Sequence, residues 1–142
     1  MMRIPVSVEF FGGGIRPMMD MSIRCEDPKL FGLIRAVIDT GSPTTILGNA
    51  DVQKMRISQV QMGKLMGEEK EVNLGGAQIR TRILPNVEIS VGGSKVIIPV
   101  QVPVKVNKGV PPPTILGIDF LVAGKFEFVF NAYKRESYLE KE

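Results

Sequence analysis

Ala36-Val37-Ile38-Asp39-Thr40-Gly41-Ser42-Pro43-Thr44-Thr45-Ile46-Leu47 is the stretch on which the chain turns. Apolar residues run straight into an acid. A hydroxyl, a glycine and a second hydroxyl follow, and then apolar character returns. Asp is depleted in strands, and a carboxylate at the end of a buried run is costly unless it finds a turn, a partner or a task. Thr40 and Ser42 are hydroxyls able to donate to a carboxylate, and Gly41 permits a close backbone approach. Leu33 to Ile38 reads as a buried strand that delivers Asp39.

The segments around this stretch are β-patterned. Ile4, Val6, Val8 and Phe10 alternate with polar residues or proline and predict one strand, with Gly12-Gly13-Gly14 as a turn. That glycine run is followed by Arg16-Pro17, not by the Lys-Ser/Thr pair of a phosphate loop. Met19, Met21 and Ile23 predict a second strand, and Cys25 to Lys29 a connection. Asn49 is the expected N-cap of a short helix reaching Met55, with Asp51 in its first turn. Ser58 to Glu71 shows no clear pattern. Val72 to Val106 is the clearest β region, with turn signals at Gly75-Gly76 and Gly92-Gly93. Pro99 and Pro103 in its last strand call for an edge or a bulge. Thr114 to Leu121 predicts a strand into Gly117, then a short helix stopped by Gly124. Asp119 is expected in that helix's first turn rather than as a second catalytic acid. Phe126, Phe128 and Phe130 predict a strand facing the core, and Glu136 to Leu139 a last one. The chain reads as free of internal repeats, coiled coils and low-complexity segments. The reading is therefore one all-β, barrel-like domain over residues 1–142 with one or two short helices.

Composition narrows the chemistry. The 142 residues are 44% hydrophobic and 23% charged, enough for a core. There is no histidine and one cysteine, Cys25. That excludes Ser-His-Asp and Cys-His machinery, His-based zinc sites and multi-thiolate metal sites. Carboxylate, hydroxyl, Lys/Arg and backbone chemistry remain, and no metal or cofactor is expected. The eight methionines read as core filler. The net charge of +3 is spread among acids and aromatics are 6%, so no nucleic-acid partner is expected. Val96 to Val104, the most apolar stretch, is too short to span a bilayer, and no segment reads as a signal peptide. The expectation is a cytoplasmic protein with no membrane partner.

Val37-Ile38 before Asp39-Thr40-Gly41-Ser42, a Gly-Gly hairpin in mid-chain, and Ile115-Leu116-Gly117 near the end resemble the retroviral-type (retropepsin-like) aspartic proteases over about Met19 to Phe130. The resemblance implies the all-β, closed single-lobe acid-protease barrel and the site of an aspartic endopeptidase. Asp39 would be the general acid/base, Thr40 would lock the two catalytic loops, and Gly41 would support the carboxylate through its N–H. Ser42 would donate a further hydrogen bond to it, and Ile115, Leu116 and Gly117 would pack under the loop. Gly75 and Gly76 would lie at the tip of a substrate-covering flap between about Met66 and Leu84. Asp20, Asp51 and Asp119 do not repeat the motif, so the second carboxylate would come from Asp39 of another copy, and the active unit would be a homodimer acting on peptide or protein substrates. Two residues depart from the family pattern. Pro43 follows Ser42, and Ile118 follows Gly117 where the viral enzymes carry Arg, which places the chain nearer the cellular and prokaryotic single-lobe branch. The competing readings are an Asx-type turn at Asp39, a plain hairpin at Gly75-Gly76, and a non-catalytic peptide-binding or dimerisation module built on the same barrel.

Overall fold

A computed structural model describes residues 1–11, 13–58, 60–61, 63, 70–74, 77–104 and 113–142. Its strands are β1 (Met2–Pro5), β2 (Ser7–Phe11), β3 (Gly14–Glu26), β4 (Lys29–Ile38), β5 (Lys70–Leu74), β6 (Ala77–Val91), β7 (Ser94–Pro103), β8 (Ile115–Leu116), β9 (Glu127–Asn131) and β10 (Glu136–Lys141). Its described helices are α1 (Asn49–Lys54) and α2 (Ile118–Gly124). The protein is mostly β, as the alternation predicts.

The strands form a seven-stranded sheet ordered β5-β6-β3-β4-β8, with β2 on β3 and β7 on β6, and a three-stranded sheet ordered β1-β10-β9. The expected closed barrel does not form. Closure needs a continuous ladder around the ring. Here β8 is two residues long, and the way back to β7 runs only through isolated bridges of Ile46 to Ile115 and to Gln101. The N-terminal strand also splits. β1 pairs with β10 and β2 with β3, and the Val6 N–H between them donates to the Ser137 carbonyl.

The core gathers one face of each long strand: Met19, Met21 and Ile23 of β3, Ile34, Ala36 and Ile38 of β4, Leu84, Val87 and Ile89 of β6, and Val96, Ile98, Val100 and Val102 of β7. The opposite faces carry charge, including ion pairs of Arg35 with Glu9 and Asp20, and of Lys95 with Glu88. Phe120 of α2 and Leu139 of β10, both fully buried, close the core from outside the sheet. Met18, Met19, Met21 and Met55 are buried, consistent with filler, whereas Met1 and Met2 are exposed. Cys25 is buried and free.

Pro99 and Pro103 fit as expected. β7 pairs with one named strand, β6, and the register slips between Leu84 and Val87, opposite Pro99. Three details differ from the sequence reading. Gly48, not Asn49, is the N-cap of α1. The left-handed residue ending α2 is Lys125 (φ 55°), while Gly124 is held small by the Phe126 ring, into which a Cβ would run. The expected core-facing strand is only partly so: Phe126, just before β9, is buried, whereas Phe128 and Phe130 within it are half-buried and exposed. Among the described residues no helix is long and apolar enough to cross a membrane.

Candidate active site

β4 delivers Asp39, but the run from Leu33 to Ile38 is not buried throughout: Leu33 and Arg35 are exposed, and Ile34 and Ala36 to Ile38 are buried, because the first part of the strand keeps one face in water. Val37 and Ile38 lie parallel to Ile115 and Leu116 of β8. The Val37 N–H donates to the Thr114 carbonyl at 2.9 Å and the Asp39 N–H to the Leu116 carbonyl at 3.0 Å. The chain then turns sharply, with the Ser42 N–H donating back to the Asp39 carbonyl at 3.2 Å. The Gly41 N–H donates to the Asp39 carboxylate, Oδ1, at 2.8 Å. Asp39 is half-buried, while Thr40 and Gly41 are exposed beside it. A Cβ on Gly41 would sit 3.1 Å from that carboxylate oxygen, so glycine leaves the acid its room.

Ser42 does not donate to the carboxylate. It is buried, and its hydroxyl donates to the Thr44 carbonyl at 2.7 Å, which tightens the turn instead. Ile115, Leu116 and Gly117 do lie against the loop. The Ile118 N–H donates to the Ser42 carbonyl at 2.8 Å and the Asp119 N–H to the Pro43 carbonyl at 3.2 Å. A Cβ on Gly117 would meet the Thr44 carbonyl and lie 2.7 Å from the Ser42 oxygen, so only glycine fits there. Gly75 and Gly76 fall between the paired strands β5 and β6 and lie outside the described residues.

The supporting network contains residues the sequence reading passed over. Thr45, fully buried, donates its hydroxyl to Asp119 Oδ1 at 2.7 Å and accepts from the Gly117 N–H at 3.1 Å; its own N–H reaches Asp119 Oδ2 at 3.1 Å. Thr114, also fully buried, donates its hydroxyl to Asp51 Oδ2 and accepts from the Gly48 N–H at 2.8 Å. The two networks are copies of one arrangement. The signal for it was in the sequence: Thr45-Ile46-Leu47-Gly48 and Thr114-Ile115-Leu116-Gly117 are the same tetrapeptide, each leading into a short helix with an aspartate in its first turn. The reading without repeats was wrong at this point. Ile46 and Ile115 exchange backbone hydrogen bonds at 3.0 and 2.8 Å, which puts a local two-fold between them. Four residues in a chain of this length escape a search for long periodicities, and only the exchange of partners across that axis gives the repeat meaning.

The same symmetry tests for a second acid. Ile115 lies parallel to Val37, and Ile46 lies parallel to Gln101. Gln101 of β7 therefore takes the place of Val37 of β4, and the position matching Asp39 is Pro103. The second half of the arrangement carries no carboxylate there. Among the described residues no three His, Cys, Asp or Glu side chains are grouped to hold a metal ion. Comparison with family models and with curated proteins finds no match for this chain.

Proposed function

We propose that the protein is a homodimeric aspartic endopeptidase of retropepsin type, with the Asp39 carboxylates of two subunits facing each other across a two-fold axis. The observation that carries the reading is the setting of Asp39. It is a half-exposed acid at the end of a strand whose last three residues are buried, cradled by the Gly41 N–H, on a turn held from behind by Leu116, Ile118 and Asp119. A solvated turn aspartate needs no such support. Pro103 at the matching internal position supports the view that the second acid comes from another copy.

In this reading the chemistry is proton transfer by a carboxylate pair. Two like charges a few ångströms apart do not both ionise, so the pair holds one proton between them, the aspartic proteases being the type case. The ionised carboxylate takes a proton from a water as its oxygen attacks the peptide carbonyl carbon. The protonated partner gives its proton to the carbonyl oxygen. As the peptide C–N bond breaks, the amine leaves with the proton that the first carboxylate took from water, and a hydroxyl of the tetrahedral species gives its proton to the other carboxylate, so the products are a carboxylic acid and an amine and the pair again holds one proton. Thr40 and Gly41, exposed beside Asp39, are placed to meet their counterparts across the axis. Substrate lies extended as an added strand, its main chain hydrogen-bonded and its side chains sorted by pockets.

The test is an unbiased peptide library incubated with wild type and Asp39→Asn, with molar mass followed by light scattering. Cleavage by wild type that disappears in Asp39→Asn while the dimer mass is retained supports the reading. Cleavage undiminished in Asp39→Asn refutes it.

A further inference from the structure

We propose that the free edge of β4, from Lys29 to Arg35, is a docking site for an extended peptide segment of another protein, one in which apolar and acidic residues alternate. The site lies apart from the Asp39 turn and does not depend on the activity proposed above.

β4 pairs with β3 from Val37 back to Lys29. On its other side β8 pairs with Val37 and Ile38. Among the described residues no strand continues that position beside Lys29 to Ala36. The direction of the backbone groups follows from two hydrogen bonds. The Val37 N–H donates away from β3, to the Thr114 carbonyl at 2.9 Å. The Leu33 carbonyl also points away from β3 and accepts from the Lys54 ammonium at 2.7 Å. In an antiparallel ladder the groups alternate, so the N–H and C=O of Phe31, Leu33 and Arg35 face the free edge. The open stretch is about 20 Å long, room for a strand of about six residues.

Edges of this kind are usually blunted by charge, proline or shortness. The outer face of this one is apolar: Phe31 is 61% and Leu33 63% exposed. Its core-facing side is closed near α1, where a Cβ on Gly32 would lie 2.9 Å from Cγ of Met55, the residue directly after the helix. The charge at the edge is basic. Lys29 stands at one end, and Lys54, the last residue of α1, holds its ammonium on the Leu33 carbonyl. The acids of the neighbouring face are already held, Glu9 and Asp20 by Arg35 and Glu26 by Arg24. Lys29, Lys54 and Arg56 make no ion pair among the described residues.

These features select the occupant. A strand laid against β4 alternates its side chains with the same period. One set lies beside Phe31 and Leu33 and is apolar, so that both are covered from water. The other set points to the side on which α1 lies and is acidic, to meet Lys54. On docking, a peptide N–H takes the Leu33 carbonyl and the Lys54 ammonium passes to a peptide carboxylate. Lys54 thus blunts the edge against neutral and basic strands and admits acidic ones. Pairing of β4 with β4 of a second copy would bring the basic groups of both edges together, so like charges oppose that occupant.

The probe is a fluorescent, end-blocked octapeptide of alternating valine and glutamate, compared with its valine–lysine counterpart at one salt concentration. Binding is read by anisotropy on the full chain carrying Asp39→Asn, so that the probe stays whole. The acidic peptide is expected to bind the more tightly. Phe31→Pro removes an N–H that faces the free edge and no bond within the chain; it is expected to weaken the acidic peptide about tenfold, with the far-ultraviolet circular dichroism unchanged. Where that variant does not fold, Phe31→Ser with Leu33→Ser leaves every backbone group in place and is expected to weaken binding by a similar factor. Lys54→Met keeps the aliphatic stem and is expected to reduce the preference for the acidic peptide about threefold. Acidic-peptide affinity undiminished in the edge variants overturns the site, as do equal affinities for the two peptides or no saturable binding of either. A molar mass that falls on Phe31→Pro shows a second copy at this edge and overturns the peptide occupant. Cleavage by wild type is measured separately, so the docking site and the activity stand or fall apart.

Discussion

Thr45→Val is the substitution that probes the support of Asp39 most directly. Valine keeps the branching and nearly the volume of threonine, so the change is the hydroxyl itself. In the folded protein that hydroxyl donates to the Asp119 carboxylate at 2.7 Å and accepts from the Gly117 N–H at 3.1 Å, and Thr45 is fully buried. A hydrogen bond to a charged group contributes about 1.5–3 kcal/mol, and a buried N–H left without an acceptor costs about 1–3 kcal/mol. The sum is a loss of about 2.5–6 kcal/mol, or a fall in Tm of roughly 8–18 °C for a chain of this size. Thr114→Val removes the equivalent hydroxyl from the matching network, between Asp51 and Gly48, and is expected to cost a similar amount. The two variants should part in function. Ile118 and Asp119, directly after Gly117, are bonded to the Ser42 and Pro43 carbonyls of the Asp39 turn, so Thr45→Val should lower cleavage even where most of the protein is folded, whereas Thr114→Val should not. Urea titrations at one protein concentration give the stability values, since a dimer's apparent stability depends on concentration. A cost for Thr45→Val below about 1 kcal/mol, the size of an ordinary net hydrogen bond, would refute the assignment of the network.

Gly117→Ala is expected to be more damaging to activity than any other single methyl, because the Cβ lands on the Thr44 and Ser42 carbonyls and must push the Asp39 turn aside; loss of cleavage together with a lowered urea midpoint checks it. Gly41→Ala adds a methyl 3.1 Å from Asp39 Oδ1 at an exposed position. It should reduce cleavage at least about tenfold while shifting stability by less than about 1 kcal/mol, as surface substitutions do. Phe120→Ala empties a fully buried site between α2 and the sheet, and calorimetry should find about 3–5 kcal/mol of destabilisation.

Local pattern carried most of the strands into view. Period-two alternation in β3, β6 and β7 reflects one face against the core and one in water, and that relation is readable from neighbours along the chain. Asp39 stood out for the same reason: an acid ending the run Leu33 to Ile38 breaks its local rule. Gly92 and Gly93, both at positive φ, and Pro99 opposite the β6 irregularity were legible because their backbone constraints are their own. Other features depend on partners distant in the chain. Ser42 bonds Thr44 rather than Asp39, a choice made by a turn geometry that the residue type leaves open. The strand from Ile4 to Phe10 divides because Val6 is claimed by Ser137 of another sheet, and the barrel stays open because β8 has two residues where a ladder needs more. Thr45, Asp119, Thr114 and Asp51 look like ordinary polar residues until the local two-fold at Ile46 and Ile115 makes each threonine serve the other copy's glycine and aspartate. The sequence by itself determined a β-rich chain with one conspicuous acid on a glycine-bearing turn. Only the tertiary structure decided what holds that acid in place and that its internal counterpart is a proline, since both follow from contacts between segments that are far apart in the chain.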